Sequence, residues 1–280
     1  MIIYGSEIAK EIKNEVAEKI SELVKNGLRK PRLAIVLVGE DPASLSYIRG
    51  KEKASREVGF DFVLYKEKET VKEEELLKLI DNLNQDETID GILVQLPLPK
   101  HLCEARVISA IDASKDVDGL SLLNSGRLFK GEDGLFPCTA LGVMEILRRS
   151  KIKVEGQNVI VIGRSKLVGL PLARMLTSAN ATVTLAHSYT KDLKSLTKLY
   201  DIVIVAIGKP KFLKAEDIKE GAVVIDVGIN RLDGHLCGDV DFEKVSQKAS
   251  AITPVPKGVG PMTIACLMQN TLKAYEMRQK

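Results

Sequence analysis

The sequence predicts an α/β protein containing two separate strand/helix units, the second a doubly wound parallel sheet. Three observations predict it. Residues 159–162, Val-Ile-Val-Ile, are four consecutive β-branched residues, which read as a strand buried on both faces. Gly163 stops that strand, and Val168, Leu172 and Leu176 then recur at every fourth position, the spacing of a helix. The same alternation of apolar run and amphipathic stretch occurs earlier, in residues 33–94, with a polar, glycine-bearing region at 112–137 between the two.

In chain order, Ser6 is placed to cap a helix that carries Ile8, Ile12, Val16 and Ile20 on one face and ends near Gly27. Pro31 breaks the chain. Residues 33–38 form a strand, and Gly39-Glu40-Asp41-Pro42 turns into a helix. A second strand spans 60–65, a charged amphipathic helix 71–84, and a third strand 89–94. Gln95-Leu96-Pro97-Leu98-Pro99 ends that strand, because proline has no N–H for a sheet ladder.

Residues 139–150 read as a connecting helix. After the strand at 159–162, further strands are expected at 181–186, 201–206 and 222–227. A hairpin at 230–239, a short helix from Asp241 and an extended stretch at 252–256 follow. Gly258-Val259-Gly260-Pro261 leads into a last helix from Met262 to about Met277, and Pro261 suits its first turn.

Composition limits the function. The chain has 280 residues, 45% hydrophobic and 28% charged, which suits a globular protein of one large or two ordinary domains. A net charge of +3 and 4% aromatics with no Trp argue against a nucleic-acid partner. Four scattered cysteines without a C-x-x-C, and a start lacking the basic and apolar regions of a signal peptide, lead to the expectation of reduced thiols in the cytoplasm. No apolar run has membrane-spanning length, and three scattered histidines leave no structural metal spacing.

The chemistry concentrates in a few places. A strand, a glycine turn and a helix N-terminus suit phosphate, because they present backbone N–H groups and partial positive charge. The spacing from Gly163 to Gly169 is G-x-x-x-x-x-G, which also fits an ordinary strand-to-helix turn. NAD-binding units end their second strand in an acid that holds the ribose. Here that strand ends in His187-Ser188, and Arg164 follows the first glycine. A cation in place of the acid favours a 2′-phosphate, hence NADP; a solvated surface arginine is the alternative.

Ser44, Tyr47 and Lys51 share one helix face, continued by Ala54 and Val58. Lys51 is the one charge in that row. It is either a desolvated acid/base with a lowered pKa or a lysine snorkelling from a core edge. Gln95 ends a buried strand, where open parallel sheets bind ligands, or it caps the strand. Asp118, in Lys115-Asp-Val-Asp-Gly119, is a ligand-pairing carboxylate or a turn residue. Cys138 reads as a packing residue, and His187 and His235 as polar strand-end residues.

Five segments occur in one order: Ser44-x-x-Tyr47-x-x-x-Lys51-x-Lys53-Ala54, Gly91-Ile-Leu-Val-Gln-Leu-Pro-Leu-Pro99, Lys115-Asp-Val-Asp-Gly119, Val161-Ile-Gly-Arg-Ser-x-x-Val-Gly169 and Gly258-Val-Gly-Pro-Met-Thr263. Together they closely resemble the bifunctional methylenetetrahydrofolate dehydrogenase/methenyltetrahydrofolate cyclohydrolase family, along essentially the whole chain. The resemblance implies two α/β domains with a cleft between them: a folate-binding catalytic domain at 1–138, completed by a C-terminal helix at 262–280, and a Rossmann-type NADP domain at 139–261. It implies oxidation of 5,10-methylenetetrahydrofolate with NADP, hydrolysis to 10-formyltetrahydrofolate, and a homodimer. The implied catalytic residues are Lys51, Tyr47, Gln95 and Asp118. Ser44, Val94, Leu96, Pro256, Gly258, Val259, Gly260, Pro261 and Thr263 are expected around the folate. Gly163, Arg164, Ser165, Ser188 and Ile229 are expected around NADP.

Three residues depart from the family pattern: Ala140 and Lys257 replace a proline and a glycine, and Tyr189 replaces a basic residue after His-Ser. Lys257 adds charge beside the expected folate segment, and Tyr189 removes a cation near the 2′-phosphate. The alternatives are another two-domain NADP dehydrogenase, acting on shikimate or an amino acid, and a dinucleotide-binding sensor without turnover.

Overall fold

The computed structural model describes residues 1–279; Lys280, the end of the expected C-terminal helix, lies outside the described residues. Contacts group the chain into two compact units. One holds Lys10–Cys138 and the residues from Ile264 onward; the other holds Met1–Ala9 and Thr139–Thr263. The boundary falls inside three helices: α1 (Gly5–Lys25), α6 (Cys138–Arg149) and α10 (Val259–Arg278).

The first unit is built on a three-stranded parallel sheet, ordered β2-β1-β3. Its strands are β1 (Arg32–Val38), β2 (Asp61–Glu67) and β3 (Gly91–Val94). β1 lies in the middle and is almost wholly apolar, as a strand covered on both faces must be. Helix α2 (Pro42–Val58) makes the crossover from β1 to β2. Asp41 caps it by accepting from Ser44 N at 2.8 Å, Pro42 opens it, and Gly59 closes it in the left-handed region at φ 88°. Helix α3 (Glu73–Gln85) crosses from β2 to β3 and buries Leu76, Ile80 and Leu83. Ile92 of β3 bridges in parallel to Asp116, so the segment before Asp118 runs beside β3.

Two helices of this unit, α4 (Glu104–Ser109) and α5 (Leu122–Lys130), were not expected. α5 falls inside the polar region read as a connection. Leu122, Leu123 and Phe129 are exposed and Leu128 alone of its apolar side chains is buried, so no core-facing period marks it. Its ends specify it instead: Ser121 Oγ accepts from Asn124 N at 3.4 Å, and Gly131 stops it at φ 76°.

The second unit holds a five-stranded, wholly parallel sheet, ordered β10-β7-β6-β4-β5. The strands are β4 (Asn158–Ile162), β5 (Thr182–Ala186), β6 (Ile202–Val205), β7 (Val223–Asp226) and β10 (Ala251–Ile252). Helix α7 (Gly169–Ser178) joins β4 to β5, and short α8 (Leu193–Thr197) lies between β5 and β6. Counted within the sheet the order is 2-1-3-4-5, so the direction of winding switches between β4 and β6. The expected hairpin is β8 (Asn230–Leu232) with β9 (His235–Cys237), turned by Asp233 and Gly234 at positive φ. α9 (Phe242–Val245) follows it.

Ser6 does not cap α1. The helix starts one residue earlier, at Gly5, where an added Cβ would stand 2.1 Å from Gly258 O. Ser6 N donates to Lys257 O at 3.0 Å, so the neighbouring segment meets the N–H that a cap would have served.

Candidate active site

The geometry around Lys51 begins with the ends of strands. β3 stops at Val94, and Gln95 N still donates to Val36 O at 2.9 Å, which fixes Gln95 at the carboxyl end of the sheet. Its amide Nε2 donates to Leu96 O at 2.7 Å. That contact turns Oε1 toward α2, where it accepts from Lys51 Nζ at 2.9 Å. Two residues 44 positions apart are thus paired by the α2 crossover.

Burial lowers the Lys51 pKa below the ordinary 10.5, and the negative charge of Asp118 opposes the shift. Asp118 responds in kind. Burial raises its carboxyl above 3.8, while Lys51 holds it down and Asp116 adds a like charge. Ser44, Ala54 and Val58 of the predicted row are buried, but Tyr47 is 50% exposed. Among the described residues, no hydrogen bond joins Tyr47 to Lys51; Gln95 is the lysine's partner.

The Asp118 turn is held from three sides. Asp116 Oδ1 accepts from Gly119 N at 3.1 Å, and its Oδ2 accepts from Ser121 N and Asn124 Nδ2. Gly119 has φ 69°, and a Cβ there would lie 2.3 Å from Phe136 C. Asn270 of α10 donates from Nδ2 to Val117 O at 2.8 Å and to Phe136 O at 2.9 Å. Cys138 is buried and donates its thiol to Val117 O at 3.3 Å. Burial, reinforced by Asp118, holds that thiol well above its ordinary pKa, so it is a neutral donor. Sequence reading placed Cys138 in packing and missed Asn270. Asn270 stands between Gln269 and Thr271, so no isolated polar residue marked it in the sequence.

The second cluster lies at the switch point between β4 and β6. Gly163 has φ 120°, and a Cβ there would be 2.2 Å from Ala206 O. A Cβ on Gly169 would be 2.0 Å from Gly163 O. Both glycines are therefore required by a turn folded tightly onto its neighbours. Ser165 Oγ accepts from Val168 N at 3.1 Å at the start of α7. Arg164, Ser165 and Ser188 are exposed around the turn. The Arg164 guanidinium lies 5.8 Å from the Tyr189 ring centroid, and no acid ends β5. A glycine cradle that any Cβ would fill, ringed by one arginine and two hydroxyls, fits a phosphate-bearing dinucleotide.

Ile229 is exposed after β7. The segment from Pro256 to Thr263 belongs to the same unit: a Cβ on Gly260 would come 3.4 Å from Ile229 Cδ1, and Thr263 Oγ1 lies 3.1 Å from Thr139 Oγ1. Gly258 and Val259 are buried, Pro261 is partly buried, and Pro256 is exposed. Lys257 occupies the left-handed region at φ 79°, where glycine is unstrained. Ala140 is fully buried in the first turn of α6.

A doubly wound sheet with this turn at its switch point, joined in one chain to a parallel sheet whose crossover helix carries a desolvated lysine, defines a two-domain dinucleotide-binding enzyme. The chain belongs to the tetrahydrofolate dehydrogenase/cyclohydrolase family. Residues 3–118 match its catalytic domain and residues 137–279 its NAD(P)-binding domain. The bifunctional protein FolD of Listeria innocua is 54% identical over 274 residues, covering 98% of this chain and 96% of that one. The crystal structure of the bifunctional FolD dehydrogenase/cyclohydrolase from Campylobacter jejuni has a TM-score of 0.97 at 47% identity, covering 99% of each chain. The FolD of Trypanosoma brucei, complexed with NADP cofactor and inhibitor, has a TM-score of 0.95 at 37% identity, covering 100% of this chain and 98% of that one. The protein is thus a bifunctional oxidoreductase and hydrolase of one-carbon folate metabolism.

Proposed function

We propose that this chain oxidises 5,10-methylenetetrahydrofolate with NADP and hydrolyses the resulting 5,10-methenyl cation to 10-formyltetrahydrofolate. The observation that carries the proposal is the partly buried Lys51 ammonium on Gln95 Oε1, with Asp118 as the carboxylate acting on it. Bound NADP supplies the hydride acceptor. Gly163, Arg164, Ser165 and Ser188 would hold it, Arg164 serving the 2′-phosphate, with Ile229 beside the cofactor.

In the oxidation, a folate nitrogen pushes hydride off the methylene carbon, so the protein supplies placement alone. Asp118 accepts hydrogen bonds from the pterin's amino and ring N–H groups, and Ser44, Val94 and Leu96 border the same position. In the hydrolysis, water loses a proton as it attacks the methenyl carbon. A ring nitrogen gains one as the bridge opens. Lys51, its pKa lowered by burial, serves that transfer. Gln95 fixes the direction of the ammonium, and Tyr47, at the exposed edge of the row, closes on the folate.

The experiment follows NADPH and methenyl-folate absorbance together after methylenetetrahydrofolate and NADP are mixed with the enzyme. Coupled appearance of NADPH and formyl product supports the reading; NADPH absorbance that stays flat overturns it. We further propose a cytoplasmic homodimer. Among the described residues no helix is long and apolar enough to cross a membrane. Sedimentation at micromolar concentration tests the dimer.

A further inference from the structure

Two buried acids in the second unit take no part in the chemistry above. Asp226 ends β7 and is 2% exposed; Asp239 follows the hairpin and is 0% exposed. Neither forms an ion pair among the described residues. Their oxygens are occupied by N–H groups. Asp239 Oδ2 accepts from Ile207 N at 2.7 Å and Gly208 N at 3.0 Å, and Oδ1 accepts from Lys209 N and Asn230 Nδ2, both at 2.8 Å. Asp226 Oδ1 accepts from Gly228 N at 3.1 Å and Asp239 N at 2.9 Å, and Oδ2 accepts from Val240 N at 2.9 Å.

The two carboxylates interlock. A Cβ on Gly228 would lie 2.2 Å from the Asp239 carboxyl, and a Cβ on Gly238 would lie 1.8 Å from Asp226 Oδ2. Each acid is therefore closed over by a glycine of the other's loop. A buried carboxylate without a cation persists only where backbone N–H dipoles replace water around it. Here those dipoles come from the loops that follow β6 and β7.

Both loops sit at the carboxyl ends of their neighbouring strands, and the loop after β6 lies against the Gly163 turn. A Cβ on Gly163 would touch Ala206 O at 2.2 Å and Ile207 Cγ2 at 3.3 Å, so Ile207 is part of the floor beneath that turn. Asp239 holds Ile207 directly. Through Gly228 and Asn230, the same pair holds both residues that flank Ile229.

We propose that Asp239, supported by Asp226, is a positioning residue for the dinucleotide: it sets the loop after β6 and the Ile229 loop at the separation the cofactor requires. The proposal rests on the NADP reading of the Gly163 turn. It extends the cofactor site to residues that touch no ligand and act through the N–H groups they hold, all backbone except the Asn230 side-chain amide.

The test uses the full chain. NADP binding is measured by calorimetry for the unmutated enzyme, Asp239→Asn and Asn230→Ala, alongside hydrolysis of methenyl-folate, which consumes no cofactor. Asp239→Asn turns one acceptor into a donor facing N–H groups and should weaken NADP binding ten-fold or more. Asn230→Ala removes one contact from the same carboxylate and should weaken it several-fold. Both should keep hydrolysis within about two-fold of normal. Unchanged NADP affinity in folded Asp239→Asn overturns the proposal. So does parallel loss of binding and hydrolysis in both variants, which would mark the acids as stability elements alone. If Asp239→Asn does not fold, Asn230→Ala decides: unchanged affinity overturns the proposal. An unmutated enzyme that binds no NADP overturns the cofactor reading, and this proposal with it.

Discussion

Replacing Lys51 by methionine separates proton transfer from packing. Methionine keeps the length and apolar volume of the stem and deletes the ammonium. What is lost is one hydrogen bond, Lys51 Nζ to Gln95 Oε1 at 2.9 Å. A bond to a charged group contributes about 1.5–3 kcal/mol. Desolvation of the ammonium opposes it, and burial outweighs the attraction of Asp118 in setting the Lys51 pKa. The sign follows from linkage. A lysine whose folded pKa lies below its unfolded value carries a destabilisation that is fully present below the folded pKa and fades as pH rises toward 10.5. Lys51→Met removes that destabilisation, so its melting temperature should match or exceed that of the unmutated protein at neutral pH. Its stability should also lack the alkaline rise. A positioned acid/base contributes about 10² to 10⁴ in rate, or about 2.7–5.5 kcal/mol of barrier. Methenyl-folate hydrolysis should fall by about that factor, while oxidation falls less, so methenyl-folate accumulates in the coupled assay. The reasoning is refuted if both rates survive, or if both fall in proportion to unfolding seen by circular dichroism.

Four further outcomes follow from the same geometry. Asp118→Asn sets N–H against the pterin's N–H groups and should weaken a folate analogue in calorimetry and depress both activities together; normal affinity would leave Asp118 a turn residue. Arg164→Ala removes a charge-assisted phosphate contact of about 1.5–3 kcal/mol and should erode the NADP preference about ten-fold or more by kcat/KM. Tyr189→Lys restores a second cation beside Arg164 and should sharpen that preference; equal use of NAD and NADP by the unmutated enzyme would refute both statements. The Asp226 carboxyl is pushed up to about 7, chiefly by burial, with the facing Asp239 adding to the rise against the N–H groups of Asp239, Val240 and Gly228. The folded state therefore holds a proton that the unfolded state has released, and stability falls as pH rises from 3.8 toward about 7. The stability of the unmutated protein relative to Asp226→Asn should decline across that window; parallel curves would show that Asp226 does not titrate there.

The sequence by itself determined the parts whose cause is local. Four β-branched residues at 159–162 become β4 because the pattern of a strand buried on both faces is contained in those residues. Asp41, Pro42 and Gly59 delimit α2 through their own side chains and backbone freedom. Ser44, Lys51, Ala54 and Val58 share a face because helical spacing compels it. Tertiary structure decided which of these groups meet. Periodicity carries no strand order, so the 2-1-3-4-5 winding that places Gly163 beside Ala206 appears only once the sheet is assembled. It gave Lys51 its hydrogen-bond partner in Gln95, because the crossover carries α2 to the end of β3. It brought Asn270 onto the Asp118 turn across 153 residues of chain. It hid α5, whose stop and start are chemical but which buries only Leu128 of its four apolar side chains. The interlocked Asp226 and Asp239 leave no sequence pattern, because all their partners but the Asn230 amide are backbone N–H groups, which every residue except proline possesses and only the fold can aim.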